Sequence, residues 1–218
     1  MTDFNSLRVL PYSEVEYTPL VDNLTVEAGD RSFPIWLLVN PKYPMDRRDI
    51  WAPIIYEIQD KVYRKLRKRI DTNRIFIKNA VSDIGLVSKT ENCWATEAAK
   101  EIALLKESVL EYQPKILITF GAITYEYVKR IFDQRPEEGP EYWSATNLGD
   151  EFERSIESFD IGQTNRIPLP RRFMKLGKHT EERKHWSRED SENYFSELGS
   201  KIADRIIENE DSLKIWIE

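Results

Sequence analysis

Two asparagines stand where apolar runs of the chain give way to polar residues. Asn40 follows the run Ile35–Val39, and Asn79 follows a similar run about forty positions later. In an open α/β sheet, the loops at the carboxyl ends of parallel strands converge on the ligand crevice. Two amides at such strand ends can orient a water molecule and bind the hydrogen-bonding edge of a base. The pair therefore predicts chemistry on a nucleobase.

Alternating strands and helices must position these amides. Apolar side chains between residues 52 and 69 recur at spacings of three and four, which predicts an amphipathic helix. Apolar, β-branched runs predict buried strands, and their alternation with helices predicts an α/β fold with helices on both faces of a parallel sheet. We predict strands at 35–39, 74–78, 115–121 and 166–169, and helices at 52–69, 96–112, 123–132 and after a capping Ser187.

The length of 218 residues suits one domain with a single substantial core. Residues 1–33 show no sustained period and are interpreted as an N-terminal arm or cap. Residues 133–164 are rich in Pro, Gly and acidic side chains, and are interpreted as an acidic insertion with some helix. The C-terminal run SLKIWIE is a candidate edge strand.

The net charge of −6 argues weakly against nucleic-acid binding, but the basic residues are unevenly distributed. Lys61 to Arg69 is strongly basic, and solvated helix surface is the favoured interpretation there. Arg171 to Trp186 is also basic and follows a predicted strand, so a functional role is favoured. The one cysteine excludes intramolecular disulfides and cysteine-clustered metal sites. The start of the sequence lacks the pattern of a secretory signal, and no apolar run reaches the roughly 20 residues of a membrane span, so we expect a cytoplasmic protein.

Three segments in succession resemble the uracil-DNA glycosylase superfamily: LLVNPKYP, IFIKNAV and EIALLKESVLEYQPKILITFGAITYEYV. The resemblance covers about residues 35 to 130 and continues weakly through IPLPRRF. It implies a three-layer α/β/α sandwich around a four-stranded parallel sheet, with the active cleft at the carboxyl edge of the strands. It also implies a monofunctional DNA glycosylase that needs no metal and no cofactor and acts on DNA without a protein partner, as a monomer.

The resemblance assigns roles to residues near the first two strands. Asn79 matches the residue that reads the base, and Asn40 falls where the superfamily places its water-organising residue. An amide cannot act as a general base at neutral pH, so water would trap the sugar cation after the base departs. The other candidates are Pro41 and Tyr43 in the base pocket, and Asp46 and Asp83, the nearest carboxylates, as alternatives for activating water.

The fourth strand departs from the family pattern. Relatives carry His-Pro-Ser or Asn-Pro-Ser there, whereas this chain continues from Leu169 and Pro170 into Arg171. An arginine can grip a phosphate or stabilise an anionic leaving group, and an apolar side chain can wedge into DNA. The predicted DNA-binding residues are Arg171, Arg172, Phe173, Lys175, Lys178 and His179.

The altered motif does not determine which base is excised. A hypermodified cytosine of phage DNA, which implies a defence role, and uracil, which implies repair, are both candidates. One alternative is a catalytically inactive nucleic-acid-binding protein on the same fold, and another is an enzyme of free nucleosides or nucleotides. The sequence lacks the glycine-rich dinucleotide and Walker motifs, the Gly-x-Ser-x-Gly elbow of esterases and the zinc deaminase signature.

Overall fold

The computed structural model describes residues 27–39, 51–82, 96–132, 134, 139–170 and 188–217. Strands and helices alternate through these ranges, and the α/β class is confirmed. The strands are β1 (Glu27–Ala28), β2 (Ile35–Val39), β3 (Phe76–Asn79), β4 (Ile116–Phe120) and β5 (Asn165–Leu169). The helices are α1 (Ala52–Leu66), α2 (Thr96–Tyr112), α3 (Ala122–Ile131), α4 (Ala145–Glu157) and α5 (Arg188–Glu208).

The sheet is mixed and has five strands in the order β1-β3-β2-β4-β5. The strands β3, β2, β4 and β5 run parallel to one another within this mixed sheet. The additional strand, β1, lies within the predicted N-terminal arm and pairs antiparallel with β3. Its Glu27 lies opposite Lys78, and their carboxylate and ammonium groups are 3.4 Å apart. This cross-strand ion pair helps to explain why a two-residue strand closes this edge.

Both faces of the sheet are covered by apolar side chains, which explains the unbroken apolar run of β2. All five residues of this strand are buried. Side chains alternate between faces along a strand. Ile35, Leu37 and Val39 join a core cluster with residues of α1, α4 and α5. Trp36 and Leu38 join a second cluster with residues of α2 and α3. A strand buried on both faces reads as continuous hydrophobic sequence rather than as an alternating one.

The helix α1 ends three residues earlier than predicted and packs closely on α5. Arg67 adopts the left-handed conformation with φ 58°, and its N–H donates to the carbonyl of Tyr63 at 2.9 Å, which closes the last turn. Gly199 of α5 allows the two helices to approach, because a Cβ there would lie 2.8 Å from the Cβ of Glu57. The pair α1 and α5 thus forms one tightly packed layer.

The segment predicted as an acidic insertion carries a helix that packs on the sheet. The side chain of Ser144 caps α4 by accepting the N–H of Asn147 at 3.1 Å. Leu148, Phe152 and Ile156 recur every four residues and are buried, and the last two join the cluster of α1 and α5. The segment therefore contributes to the core.

The predicted C-terminal edge strand is wrong. Ile70 and Trp216 form an isolated antiparallel bridge, outside the five-stranded sheet. The backbone bonds run from Asp71 N–H to the carbonyl of Ile215 and from Ile217 N–H to the carbonyl of Arg69. The tail thus pairs with the connection that precedes β3, which leaves it no access to the sheet edge. Among the described helices, none combines the length and apolar character that crossing a membrane requires.

Candidate functional site

The strand order places a switch point between β2 and β4. From β2 the chain passes to β3 on one side, and it then crosses to β4 on the other side. In open α/β sheets, ligands bind outside the carboxyl ends of the strands at such a point. The described residues nearest to it are Val39 at the end of β2, Asn79 at the end of β3 and Phe120 at the end of β4.

Asn79 has a buried amide oxygen to which the described residues offer no partner. It lies opposite Val39 in the register, and the N–H of Ala80 donates to the carbonyl of Val39 at 2.8 Å. The residue is 5% exposed, and its Oδ1 accepts no hydrogen bond within the described part of the chain. Leaving a buried acceptor unsatisfied costs about 1 to 3 kcal/mol. A donor from a bound molecule would remove that cost.

The N-terminus of α3 lies at the same edge. Gly121 precedes the helix with φ 95°, a conformation that favours glycine, and no side chain caps the helix there. The N–H of Gly121 donates to the carbonyl of Leu169 at 2.7 Å, which ties the carboxyl ends of β4 and β5 together. The N–H groups of an uncapped first turn and the helix dipole favour a negative charge. This helix end therefore lies at the same edge of the sheet as Asn79, two strands away from β3.

Glu101 of α2 fixes the chain where it leaves β3. Its carboxylate accepts the backbone N–H of Ser82 at 2.7 Å and the Ser82 hydroxyl at 2.5 Å. Ser82 follows Asn79 by three residues, so this contact holds the segment that continues from the strand end. Burial, with a further contribution from the charge of Glu101, raises the pKa of Tyr127, which keeps that phenol protonated. Sequence reasoning missed this contact because its partners are nineteen positions apart.

Two further carboxylates, one buried and one half-buried, accept hydrogen bonds from other parts of the fold. Glu126 is completely buried, and its two oxygens accept from Arg130 Nε at 2.9 Å and Trp143 Nε1 at 2.8 Å. The carboxylate of Glu151 accepts from the hydroxyl of Tyr125 at 2.7 Å and from Lys129 Nζ at 3.0 Å. These groups tie α3 to α4 and to the preceding residues 139–143.

The pKa of Glu151 supports a structural role. Burial raises it, but hydrogen bonds from Tyr125 and Lys129 and the charges of Lys129 and Arg154 lower it, and the net shift is downward. A carboxylate that is held ionised with its oxygens occupied is unsuited to proton transfer at neutral pH. We therefore assign Glu151 to the framework, and we assign Glu126 to it because both of its oxygens accept hydrogen bonds within the fold.

Of the residues that the sequence singles out for function, the structure describes Asn79 alone. The others follow the carboxyl ends of strands in the sequence and lie outside the described residues: Asn40, Pro41, Tyr43, Asp46, Asp83, Arg171, Arg172, Phe173, Lys175, Lys178 and His179. Within the described ranges, no cluster of three or more His, Cys, Asp or Glu residues could hold a metal ion.

Sequence comparison adds no relative to this description. No protein-family model matches the chain, and no curated protein matches it significantly. Function must therefore be argued from the residues themselves.

Proposed function

We propose that the protein is a monofunctional DNA glycosylase that flips a base out of DNA and hydrolyses its N-glycosidic bond. The observation that carries this proposal is the buried Oδ1 of Asn79, which has no partner among the described residues and lies at the carboxyl edge of the sheet. The parallel order of β3, β2, β4 and β5, with core clusters on both faces, is compatible with a uracil-DNA-glycosylase-like sandwich whose sheet carries one extra edge strand.

The chemistry of base release gives these groups their roles. A base within a duplex must leave the stack before its glycosidic bond is accessible. The transition state carries positive charge on the sugar and negative charge on the departing base. Asn79 would hold the flipped base, and the N-terminus of α3 would provide positive potential at the same edge. Asn40, in the loop after β2, would orient the attacking water.

An amide can read either of the two candidate bases. Its Oδ1 can accept the N3–H of uracil or the N4–H of cytosine, and its Nδ2 can donate to O4 of uracil or N3 of cytosine. The unpartnered oxygen of Asn79 therefore requires a base that offers a hydrogen-bond donor. Uracil and a hypermodified cytosine of phage DNA both meet this requirement.

A panel of DNA substrates tests the proposal. DNAs that contain uracil, hypoxanthine, xanthine, T:G mismatches, or hydroxymethylated or glucosylated cytosine would be incubated with the full chain. Free base and alkali-labile abasic sites would be measured for the unmodified protein, for Asn79→Ala and for Thr119→Val. We expect release of one base that Asn79→Ala abolishes.

Thr119→Val is the matched control. Thr119 lies near the end of β4 and is completely buried, and its hydroxyl oxygen also lacks a partner among the described residues. The alternation along β4 places it on the face of α2 and α3, whereas Asn79 falls on the face of α1 and α5. Valine is nearly isosteric, so base release should persist.

No release of any base would contradict the proposal. If the protein released no base but still bound DNA with strong salt dependence, it would be a catalytically inactive nucleic-acid-binding protein on the same fold. Equal loss of activity in Asn79→Ala and Thr119→Val would contradict the specific role of Asn79.

A further inference from the structure

The cations of the basic segment 61–69 fall into two groups. Three of them form ion pairs with carboxylates of α1, of α5 or of the residues that follow α5. These ion pairs are Lys61 with Asp204 at 2.6 Å, Arg64 with Asp60 at 2.7 Å, and Lys68 with Glu210 at 3.1 Å.

The remaining cations, Lys65, Arg67 and Arg69, are exposed and form no ion pair with a carboxylate of the described residues. The two arginines gather around Tyr63, which is 39% exposed. The guanidinium carbons of Arg67 and Arg69 lie 5.8 Å and 5.2 Å from the centre of its ring. We call Tyr63, Arg67 and Arg69 the α1 basic cluster.

The α1 basic cluster lies away from the proposed base-reading site. The helix α1 leads from the carboxyl end of β2 to the amino end of β3, so its last residues are at the amino edge of the sheet. Asn79 is at the carboxyl edge. A five-residue strand such as β2 spans about 17 Å. A ligand of the cluster is therefore separate from a base held by Asn79.

The geometry favours phosphate as that ligand. A guanidinium presents a planar fork of donors that matches a phosphate, and it stacks on aromatic rings. Contact with the Tyr63 ring restricts both arginines before any ligand arrives, which lowers the entropy lost on binding. The two arginines just beyond the end of α1 match the repeated charges of a nucleic-acid backbone, and the exposed ring beside them suits stacking on a base.

We propose that the α1 basic cluster is a second nucleic-acid contact, which binds backbone phosphates without sequence preference at the edge of the sheet opposite Asn79. This contact goes beyond the proposed glycosylase activity and does not depend on it. On long DNA it would hold the protein near the substrate strand while the carboxyl edge engages a base.

The salt dependence of oligonucleotide binding tests this contact. Binding of a fluorescent thymidine oligonucleotide would be measured by anisotropy over a salt series. The proteins compared would be the unmodified chain, the double variant Arg67→Ala/Arg69→Ala and Arg64→Ala. Each lost phosphate contact on a single strand lowers the slope of log K against log salt by about 0.7, so the double variant should lose about 1.4.

Arg64→Ala is the matched control, since Arg64 is on the same helix, is exposed and carries the same charge, but is paired with Asp60. We expect its slope to stay within about 0.3 of that of the unmodified chain. Tyr63→Ala removes the ring without changing any charge and should weaken binding, whereas Tyr63→Phe should keep it.

Three results would overturn the inference: an unchanged slope in the double variant, an equal loss in Arg64→Ala, or binding to anionic lipid vesicles without binding to the oligonucleotide. Base release from a short duplex keeps the two proposals apart. The double variant should retain that release and Asn79→Ala should not, so either proposal can fail while the other stands.

Discussion

Asn79→Leu is expected to raise the free energy of unfolding while it abolishes base release. The Oδ1 of Asn79 is buried and has no partner in the part of the chain that the structure describes, and an unsatisfied buried acceptor costs about 1 to 3 kcal/mol. Leucine has a similar size and no polar atom to satisfy, and it fits a strand better than asparagine does. We therefore expect stabilisation of about 1 to 3 kcal/mol. A domain of this length gains about 2 to 4 °C in Tm per kcal/mol.

Asn165 provides the matched comparison, because it is an equally buried asparagine at a strand end. Its Oδ1 accepts the N–H of Asp160 at 2.9 Å, and its Nδ2 donates to the carbonyls of Lys115, Asp160 and Gln163. Four hydrogen bonds at about 0.5 to 1.5 kcal/mol each predict that Asn165→Leu destabilises by about 2 to 6 kcal/mol. The two substitutions are chemically identical and should have opposite signs.

Urea unfolding followed by circular dichroism measures both variants, with the free energy extrapolated linearly to zero denaturant. The m-values must match that of the unmodified protein for the comparison to hold. If Asn79→Leu loses as much stability as Asn165→Leu, the amide of Asn79 is a structural group, and its assignment to ligand binding is refuted.

Three further predictions concern charged groups. Arg130→Met leaves the carboxylate of Glu126 buried without its charge partner and should destabilise by about 3 to 5 kcal/mol in urea unfolding. Glu101→Gln removes the charge that strengthens the two hydrogen bonds from Ser82 to this side chain, and it should lower the free energy of unfolding by about 1 kcal/mol. Because Ser82 follows the end of β3, the same variant should also release base more slowly than the unmodified protein. Hydrogen bonds from Ser32 hold the pKa of Asp30 at about 2, below its ordinary 3.8. The stabilisation that the Asp30 carboxylate provides is therefore present above about pH 4 and is lost as the pH falls towards 2. Over that interval the urea midpoint of Asp30→Asn should fall less than that of the unmodified protein.

The sequence predicts most of the regular elements because these have a local signal, whereas the two-residue β1 has none. The buried run Ile35–Val39 and the three- and four-residue spacings of α1 were sufficient to locate them. The helix α4 shows how a signal can be hidden. Leu148, Phe152 and Ile156 have helical spacing, but the surrounding Pro, Gly and acidic residues favoured an insertion. Its contribution to the core depends on α4 packing against β5, which no local pattern specifies.

Only part of the candidate site could be predicted from the sequence. The position of Asn79 at a strand end was predictable, since an apolar run stops there. Its lack of a partner was not, because it depends on which groups the fold brings within reach. The bond from Ser82 to Glu101 and the cation–π contacts around Tyr63 arise after a turn or a crossover, so composition alone could not separate Arg67 from Arg64.

Two buried asparagines of the described residues differ in their hydrogen bonds. Glu126, Glu151 and Asn165 are engaged by donors or acceptors from other elements, as expected when a buried polar group stabilises a structure. Asn79 is as buried as Asn165, yet its oxygen has no partner in the described structure, and it lies at the edge where the strand order predicts a crevice. We therefore propose that a donor from outside the chain binds the Oδ1 of Asn79, which the described residues leave without a partner.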